Sequence, residues 1–201
     1  MENNIDVYIK LGENGVIPKY GSINAAGCDL YAASDLVIRP GEIKVLSLDF
    51  IMAIPEDCEA QVRPRSGLSL KTTLRIPNSP GTIDADYRDN VGVIIENNYS
   101  IENLPYEIMR SPELIEVLEK EYREVCLSEI VKSNSNSNCS ILNNKIYLDK
   151  NNNPYGSIYI KKGERIAQMI FCKYKRANFI EHENPKAIGE NRGGGFGHTG
   201  V

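Results

Sequence analysis

The chain has little of what metal-binding and disulfide-stabilised proteins depend on. It contains two histidines, His182 and His198, which argues against a histidine-rich metal site. Its five cysteines are odd in number, widely scattered and without a C-x-x-C pair, so neither a disulfide framework nor a zinc site is expected. We interpret them as reduced thiols, and this interpretation predicts a cytoplasmic location.

Long apolar runs and an excess of basic charge are also missing. The longest apolar stretches, 91–95 and 166–172, are far too short to span a bilayer, and the N-terminus does not have the layout of a secretion signal. Lys and Arg total 23 against 27 Asp and Glu, which gives a net charge of −4. Neither nucleic acid nor a membrane is therefore expected as a partner. An anionic ligand must instead be held by a few well-placed cations and backbone amides.

Short strand patterns occupy most of the chain outside its middle. The clearest runs from Ile43 to Ile54, where apolar side chains fall at every second position from Leu46 onward. Many short strands separated by Gly and Pro predict an all-β protein, a sandwich or a barrel. The other predicted strands are 6–10, 28–32, 36–38, 59–63, 74–76, 91–97, 157–161, 165–174 and 178–181.

The middle of the chain, from about 99 to 154, is rich in Glu, Asn and Ser and holds 9 acids against 6 bases. Ser111-Pro112-Glu113 is typical of a helix start, and the following apolar residues have helical spacing, which predicts a helix over 112–132. A Ser/Asn run (133–138) and a possible hairpin strand (141–148) follow. These patterns divide the chain into a β domain (1–98 and 155–190), a partly helical insert (99–154) and a flexible C-terminal arm (191–201).

Two of five unusual segments suit phosphate. In 64–68, Arg65 offers a planar guanidinium fork, Ser66 a hydroxyl donor, and Gly67 lets backbone N–H groups approach an anion. A strand-to-helix turn with a surface arginine is the alternative. In 163–168, Gln168 and Arg165 are the only candidates for ligand contact, because we assign the apolar side chains of this segment to the core of a sheet.

Three further segments suit the rest of a nucleotide. In 78–88, Asn78 can donate to and accept from a base edge, and Tyr87 supplies a rigid aromatic face. In the Gly-rich tail 192–200, Phe196 and Arg192 suggest a lid over a planar, charged ligand, although such tails are often disordered. The fifth segment, 25–30, places Asp29 after a turn of small residues, as a candidate acid of the site. The alternative is a structural aspartate that bonds to its own backbone within the turn.

Taken in their order along the chain, the five segments resemble the trimeric dUTP diphosphatases (dUTPases). The resemblance implies a jelly-roll-like β-barrel, a homotrimer with active sites shared between subunits, and hydrolysis of dUTP to dUMP and pyrophosphate with Mg²⁺. The matching stretches are AGCDLYA (26–32), RPRSGLSL (63–70), NSPGTIDADYR (78–88), GERIAQMI (163–170) and RGGGFGHTG (192–200).

The resemblance also implies a role for individual residues. Asp84 matches the catalytic acid that activates a water for attack on the α-phosphate. Asp29 matches an acid that contacts the metal through water. The positions that match substrate-binding residues are Arg65, Ser66, Gly67, Asn78, Gly81, Thr82, Ile83, Tyr87, Gln168, Arg192, Phe196 and Gly197.

The chain departs from the family pattern at three places. Asp89 stands where the family usually has glycine, Arg192 lies one residue closer to Phe196 than usual, and most members lack the insert at 99–154. Two alternatives therefore stay open. A dCTP deaminase requires a further acid–base glutamate, which the motif segments do not offer. A phage-type dUTPase would also bind a regulatory protein through the insert, whereas a solvated decoration would bind nothing.

Overall fold

Strands dominate the structure, which is a computed structural model that describes residues 4–131, 140–191 and 193. In chain order the strands are β1 (Tyr8–Leu11), β2 (Lys19–Tyr20), β3 (Cys28–Tyr31), β4 (Leu36–Ile38), β5 (Ile43–Ser47), β6 (Phe50–Ala53), β7 (Cys58–Arg63), β8 (Leu74–Arg75), β9 (Gly81–Ile83), β10 (Gly92–Asn97), β11 (Arg123–Cys126), β12 (Lys145–Leu148), β13 (Ile158–Ile160) and β14 (Arg165–Lys173). The helices are α1 (Ser66–Lys71), α2 (Leu104–Arg110), α3 (Leu114–Glu121) and α4 (Leu127–Ile130), with short 3₁₀ turns at Ile101–Asn103, Ser140–Asn143 and Pro185–Ala187.

The strands pair in antiparallel ladders around one hydrophobic core. The largest sheet has the order β2-β3-β14-β7-β9, and the others are β5-β10-β8, β1-β6, β13-β4 and β11-β12. Leu30, Ala60, Ile95 and Met169 are fully buried members of the core between them. In the described part of the chain the ladders stay separate. The all-β prediction is therefore confirmed, but hydrogen bonds do not close these strands into a barrel.

The strand predicted over 43–54 is divided in two. Asp49 has a positive φ of 54°, which ends β5 and starts β6 after a short break. A turn holds it there: its carbonyl accepts from the Gly12 amide at 2.7 Å and its carboxylate from the Asn14 amide at 2.8 Å. The predicted inward face is nevertheless confirmed, because every second side chain from Leu46 to Ile54 is buried.

The single helix predicted over 112–132 is wrong. Ser111 ends α2 rather than capping a helix, and α3 begins three residues later at Leu114. The helix stops at Glu121, because 123–126 instead pairs with 145–148 as the β11–β12 hairpin. Val125, one of the apolar residues whose spacing suggested a helix, is instead buried on this hairpin at 3% exposure.

Asn97 and three tyrosines join the 99–154 segment to the sheets. The fully buried Asn97 amide donates to the carbonyls of Ile38 and Gly156 at 3.0 and 2.8 Å. The rings of Tyr99 and Tyr122 each meet the ring of Tyr155 edge-on, with centroids 5.8 and 5.4 Å apart. This tyrosine cluster (Tyr99, Tyr122 and Tyr155) packs both ends of the segment together.

The prediction of a strand at 178–181 is also wrong, because no such strand forms within a single chain. Residues 173–191 are exposed throughout and carry no strand after Lys173. Phe179 and Ile180 remain 94% and 79% exposed. In the described residues, no helix has the length and apolar character needed to cross a membrane.

Candidate active site

Four of the five motifs lie on adjacent strands of the five-stranded sheet. Asp29 on β3 pairs with Gln168 on β14, which on its other side pairs with Arg63 at the end of β7. Val62 of β7 in turn pairs with Gly81 at the start of β9. Residues that are more than a hundred positions apart in sequence therefore meet at one end of this sheet.

An ion-pair cluster of Asp29, Arg65 and Arg165 lies at that end. Asp29 Oδ1 accepts from Arg65 Nε at 2.9 Å, and Oδ2 accepts from Arg165 Nη1 at 3.1 Å. The Asp29 and Arg65 side chains are 17% and 26% exposed, whereas that of Arg165 is 55% exposed. One carboxylate thus holds two guanidinium groups at the mouth of the site, and one net positive charge remains.

The backbone around Arg65 leaves amides available to an anion. Arg65 has an extended conformation before α1, and its carbonyl accepts from the Leu68 and Ser69 amides. The first amides of a helix, here those of Ser66 and Gly67, have no partner within the helix. A Cβ on Gly67 would meet nothing within 4 Å, so packing within the chain does not require glycine there.

Gln168 is fixed between two motifs. Its Nε2 donates to the Pro64 carbonyl at 2.9 Å, which ties β14 to the residue before Arg65. A Cβ on Gly27 would lie 2.8 Å from Gln168 Oε1. Glycine at position 27 therefore makes room for the glutamine, and this contact connects the first motif to the fourth.

The 78–88 motif forms a loop, the short strand β9 and a turn. The Ser79–Pro80 peptide bond is cis, and the Asn78 amide lies against Gly81, where a Cβ would be 3.1 Å from Nδ2. Thr82 is exposed and Ile83 packs partly against the core. The strand β9 therefore exposes Thr82 to solvent, while the next residue, Ile83, attaches it to the core.

Asp84 and Tyr87 occupy the turn that follows β9. The Tyr87 amide donates to the Asp84 carbonyl at 3.1 Å, and the Tyr87 hydroxyl donates to the Asn90 carbonyl at 3.0 Å. The Asp84 side chain is exposed, and Tyr87 is 39% exposed. The turn therefore fixes the backbone of the acid and leaves its carboxylate in solvent.

Within one chain, the turn and the ion-pair cluster stay apart. Ile83, just before Asp84, pairs with Ala60 on β7, whereas Arg65 lies two residues beyond Arg63, the last residue of that strand. The three strand steps from Ala60 to Arg63 alone span roughly 10 Å. Among the described residues, no hydrogen bond joins Asp84 or Tyr87 to the cluster. The predicted contacts of Arg192, Phe196 and Gly197 lie outside the described residues.

The described residues do not form a cage for a metal ion. No group of three or more His, Cys, Asp or Glu side chains is placed to hold one in this part of the chain. Asp29 nevertheless fits an indirect role. Each of its oxygens accepts one hydrogen bond from an arginine, and a carboxylate oxygen has a second lone pair for a water.

Cys28, next to Asp29, does not offer a nucleophile. Its side chain is buried and its thiol donates to the Met169 carbonyl with an S···O distance of 3.4 Å. Burial raises the pKa of the Cys28 thiol, so it stays protonated at neutral pH. Cys28, Cys58, Cys126 and Cys172 are free cysteines, and Cys139 lies outside the described residues.

Sequence reasoning missed the pairing of Asp29 with two arginines. It named Arg165 as a candidate contact and expected Asp29 to face a metal-bound water. The sequence did contain a signal for this pairing, since Asp29 and the two arginines carry opposite charges in three separate motifs. Spacing along the chain, however, does not reveal that these motifs sit on neighbouring strands.

The chain is similar to known proteins along nearly its whole length. The sequence profile of the dUTPase family matches residues 13–103 and 139–200. The deoxyuridine 5'-triphosphate nucleotidohydrolases of Rickettsia prowazekii and Rickettsia felis are 33% and 34% identical to this chain, over 98% and 97% of each sequence. The solved structure of the Staphylococcus bacteriophage 80alpha dUTPase with dUpNHpp superposes with a TM-score of 0.69 at 28% identity, covering 98% of this chain and 99% of that one. The chain therefore belongs to the dUTPase family, the deoxyuridine triphosphate nucleotidohydrolases.

Proposed function

We propose that this chain hydrolyses dUTP to dUMP and pyrophosphate, which would keep uracil out of DNA and supply dUMP for dTMP synthesis. The observation that carries the proposal is the meeting of Asp29, Arg65 and Gln168 at one end of a single sheet. These residues come from three separate family motifs. Relatives of nearly the same length, named for this activity, are about one-third identical to the chain.

In this proposal, Asp84 activates the attacking water. An ionised carboxylate accepts a proton from the water as its oxygen attacks the α-phosphorus, and pyrophosphate leaves. The exposed Asp84 side chain, on a turn fixed by Tyr87, is free to meet a water at a ligand. The Asp84 turn and the arginines lie at different places along β7 in one chain, which supports a site whose two halves come from different subunits.

The remaining motif residues would recognise the nucleotide. Asn78, with the backbone of Gly81, Thr82 and Ile83, reads the uracil edge, and Tyr87 packs under the deoxyribose and excludes a 2′-hydroxyl. Arg65, Ser66, Gly67 and Gln168 hold the phosphate chain through charge-assisted hydrogen bonds. Arg192, Phe196 and Gly197 would close over the bound nucleotide as a C-terminal arm.

Magnesium would reach this site with the triphosphate. It supplies charge neutralisation on the phosphates when bound, and Asp29 would contact it through a water. This arrangement suits a chain in which the described residues form no metal cage. A net charge of −4 also means that the protein contributes little positive potential of its own.

A homotrimer is the proposed assembly, in the cytoplasm. Two observations support contact with other copies. The apolar Phe179 and Ile180 are exposed on an extended segment, and a cavity of about 1350 Å³ opens onto core residues such as Phe50 and Met169. Subunits that exchange segments would cover both surfaces.

The test of the chemistry is Asp84→Asn, with Asp86→Asn as the matched control on the same turn. We expect pyrophosphate release from dUTP to fall about 10²- to 10⁴-fold, with binding of a non-hydrolysable dUTP analogue largely kept. The control should remain active. Hydrolysis at the unaltered rate by Asp84→Asn would overturn the assigned role.

A nucleotide panel separates dUTP hydrolysis from deamination. The unaltered chain should release pyrophosphate from dUTP with magnesium, and far less from dCTP, dTTP or UTP. Formation of a uridine nucleotide from dCTP would instead support the deaminase alternative.

A second candidate function is binding of a regulatory protein through the 99–154 segment. The family profile does not match residues 104–138, and α2 exposes Tyr106 and Met109 to 64% and 77%. The structure of the phage 80alpha dUTPase is described in work on phage dUTPases that control transfer of virulence genes. Replacing Tyr106 and Met109 with serine should leave dUTP hydrolysis unchanged and abolish binding of such a partner. An altered hydrolysis rate would favour a structural role for the segment.

A further inference from the structure

Asn14 and Gly15 are the one Asn-Gly pair in the sequence, and they lie in the segment between β1 and β2. The backbone nitrogen that follows an asparagine can attack the side-chain amide carbon, and glycine leaves this nitrogen most open because it has no Cβ. Such a reaction needs no second molecule to start, so its rate depends on how the fold holds the two residues. Both residues are half-buried, which leaves them within reach of water.

The side-chain amide of Asn14 contacts a cation through its oxygen. Lys162 Nζ donates to Asn14 Oδ1 at 2.6 Å, and within the part of the chain that the structure describes no hydrogen bond holds Asn14 Nδ2. An ammonium group at this oxygen withdraws electrons from Cγ and stabilises the negative charge that develops on Oδ1 when a nucleophile adds to the carbon. Lys162 therefore activates the atom that is attacked, while the nitrogen that must leave is unrestrained.

The backbone nitrogen of Gly15 is only weakly engaged. Its N–H donates to the Gly12 carbonyl at 3.4 Å, which is longer than an ordinary N–H···O hydrogen bond. A Cβ at position 15 would clash with the Asp49 carbonyl oxygen, so the packing of the turn accepts glycine and no other residue. The fold thus requires the glycine that makes Asn14 reactive, and it leaves the attacking nitrogen nearly free.

We propose that Asn14 is a site of spontaneous deamidation and that Lys162 is the residue that promotes it. The Gly15 nitrogen forms a bond to Asn14 Cγ, the bond from Cγ to Nδ2 breaks, and the Gly15 amide proton leaves with Nδ2 as ammonia. Water then opens the resulting imide ring at either of its two carbonyl carbons, which yields aspartate or isoaspartate. The net change is one water gained and one ammonia lost, with no oxidation or reduction.

The two products differ in their effect on the turn. Aspartate keeps the main chain intact and places a carboxylate beside the Lys162 ammonium, whereas isoaspartate adds one methylene carbon to the main chain before Gly15. The main chain here is fixed to Asp49, since the Gly12 and Asn14 amides donate to its carbonyl and carboxylate at 2.7 and 2.8 Å. A longer main chain cannot keep both contacts in place, so the isoaspartate form should release the turn from Asp49.

The test follows the tryptic peptide 11–19 by mass spectrometry while the purified chain is incubated at neutral pH. We expect its mass to rise by about 1 Da, the difference between an amide and a carboxyl group, at least as fast in the folded chain as in the same peptide free in solution. Asn98, which is exposed but precedes Tyr99, is the internal control and should stay unchanged. Lys162→Met should slow the reaction about three- to tenfold, whereas Lys162→Arg, which keeps the cation, and Lys161→Met should not.

The results do not depend on whether the chain hydrolyses dUTP. If the free peptide is converted while the folded chain keeps Asn14 intact, the proposed site is overturned. If Lys162→Met reacts within about twofold of the unaltered chain, the promoting role of Lys162 is overturned. The incubated chain, with its isoaspartate content measured by an isoaspartyl methyltransferase, should unfold at a lower temperature than Asn14→Asp, which carries the same charge on an ordinary main chain. Equal unfolding temperatures would overturn the release of the turn.

Discussion

Asn97 shows how a single buried polar residue holds separate parts of this molecule together. Its Oδ1 accepts from the Thr73 hydroxyl at 2.6 Å and from the Tyr99 amide at 3.1 Å, while its Nδ2 donates to two carbonyls. All four hydrogen bonds of the amide are therefore made inside the protein. A buried donor or acceptor that loses its partner destabilises the fold far more than an exposed one.

We predict that Asn97→Ala lowers the free energy of unfolding by roughly 2–4 kcal/mol. The substitution leaves the carbonyls of Ile38 and Gly156 without this donor, in a place that solvent does not reach. Asn98→Ala is the control, since its side chain is exposed and the change should stay within about 0.5 kcal/mol. Urea unfolding of both variants measures the difference, and equal values would contradict the assignment.

At the scale of elements, Glu107 on α2 connects the segment to the tyrosine cluster. Its Oε2 accepts from the hydroxyls of Tyr99 and Tyr155 at 3.2 and 3.3 Å. Burial, followed by the Glu107 charge, raises the pKa of Tyr155 to about 12 and raises that of Tyr99 as well. Both hydroxyls thus hold their protons more tightly in the folded state than in the unfolded chain.

This difference predicts a loss of stability at alkaline pH. A raised pKa in the folded state contributes stability that is complete below pH about 10, the unfolded value. The contribution disappears as pH rises towards the Tyr155 value of about 12. The thermal midpoint should therefore fall between these limits, and it should fall less steeply in the Tyr99→Phe/Tyr155→Phe double variant. Tyr8→Phe, on exposed β1, is the control, and identical slopes in all three proteins would contradict the prediction.

The same elements show which local patterns can be predicted from sequence. Alternating apolar residues predicted the inward face of 43–54, because burial of one sheet face imposes a period of two. The break at Asp49 was not predictable, since it depends on a turn more than thirty residues earlier. Helical spacing over 112–132 failed for a related reason. Pairing with 145–148 gives 123–126 a partner that local propensity does not include.

At the scale of the whole molecule, the motifs predicted the family. Five short segments were sufficient because their residue types and order are specific. Their spatial relations were not predictable, since strand order and a β-bulge in β14 between Arg165 and Ala167 place Arg165 beside Asp29. The separation of Asp84 from the arginines likewise depends on the register between β7 and β9, which the sequence does not display.

We expect the chain in solution to have about three times its 22.5 kDa mass, as measured by light scattering after gel filtration. Phe179→Asp together with Ile180→Asp should reduce this mass, because two charges would replace the apolar side chains that an adjoining subunit would cover in the proposed trimer. dUTP hydrolysis should be lost in parallel if sites are shared. Met109→Asp, at an exposed position on α2, is the control. A double variant that keeps both mass and activity would contradict the assembly.

The central position of β14 has a consequence for biosynthesis. This strand lies between β3 and β7, yet the ribosome makes it more than a hundred residues after the end of β7. Until it emerges, β3 and β7 expose unpaired edges, which are templates for aggregation. Pairing at such long range is also slow. A nascent chain that stops before Arg165 should therefore depend on chaperones, and the end of the sheet that carries Asp29 and Gln168 should form only when synthesis is nearly finished.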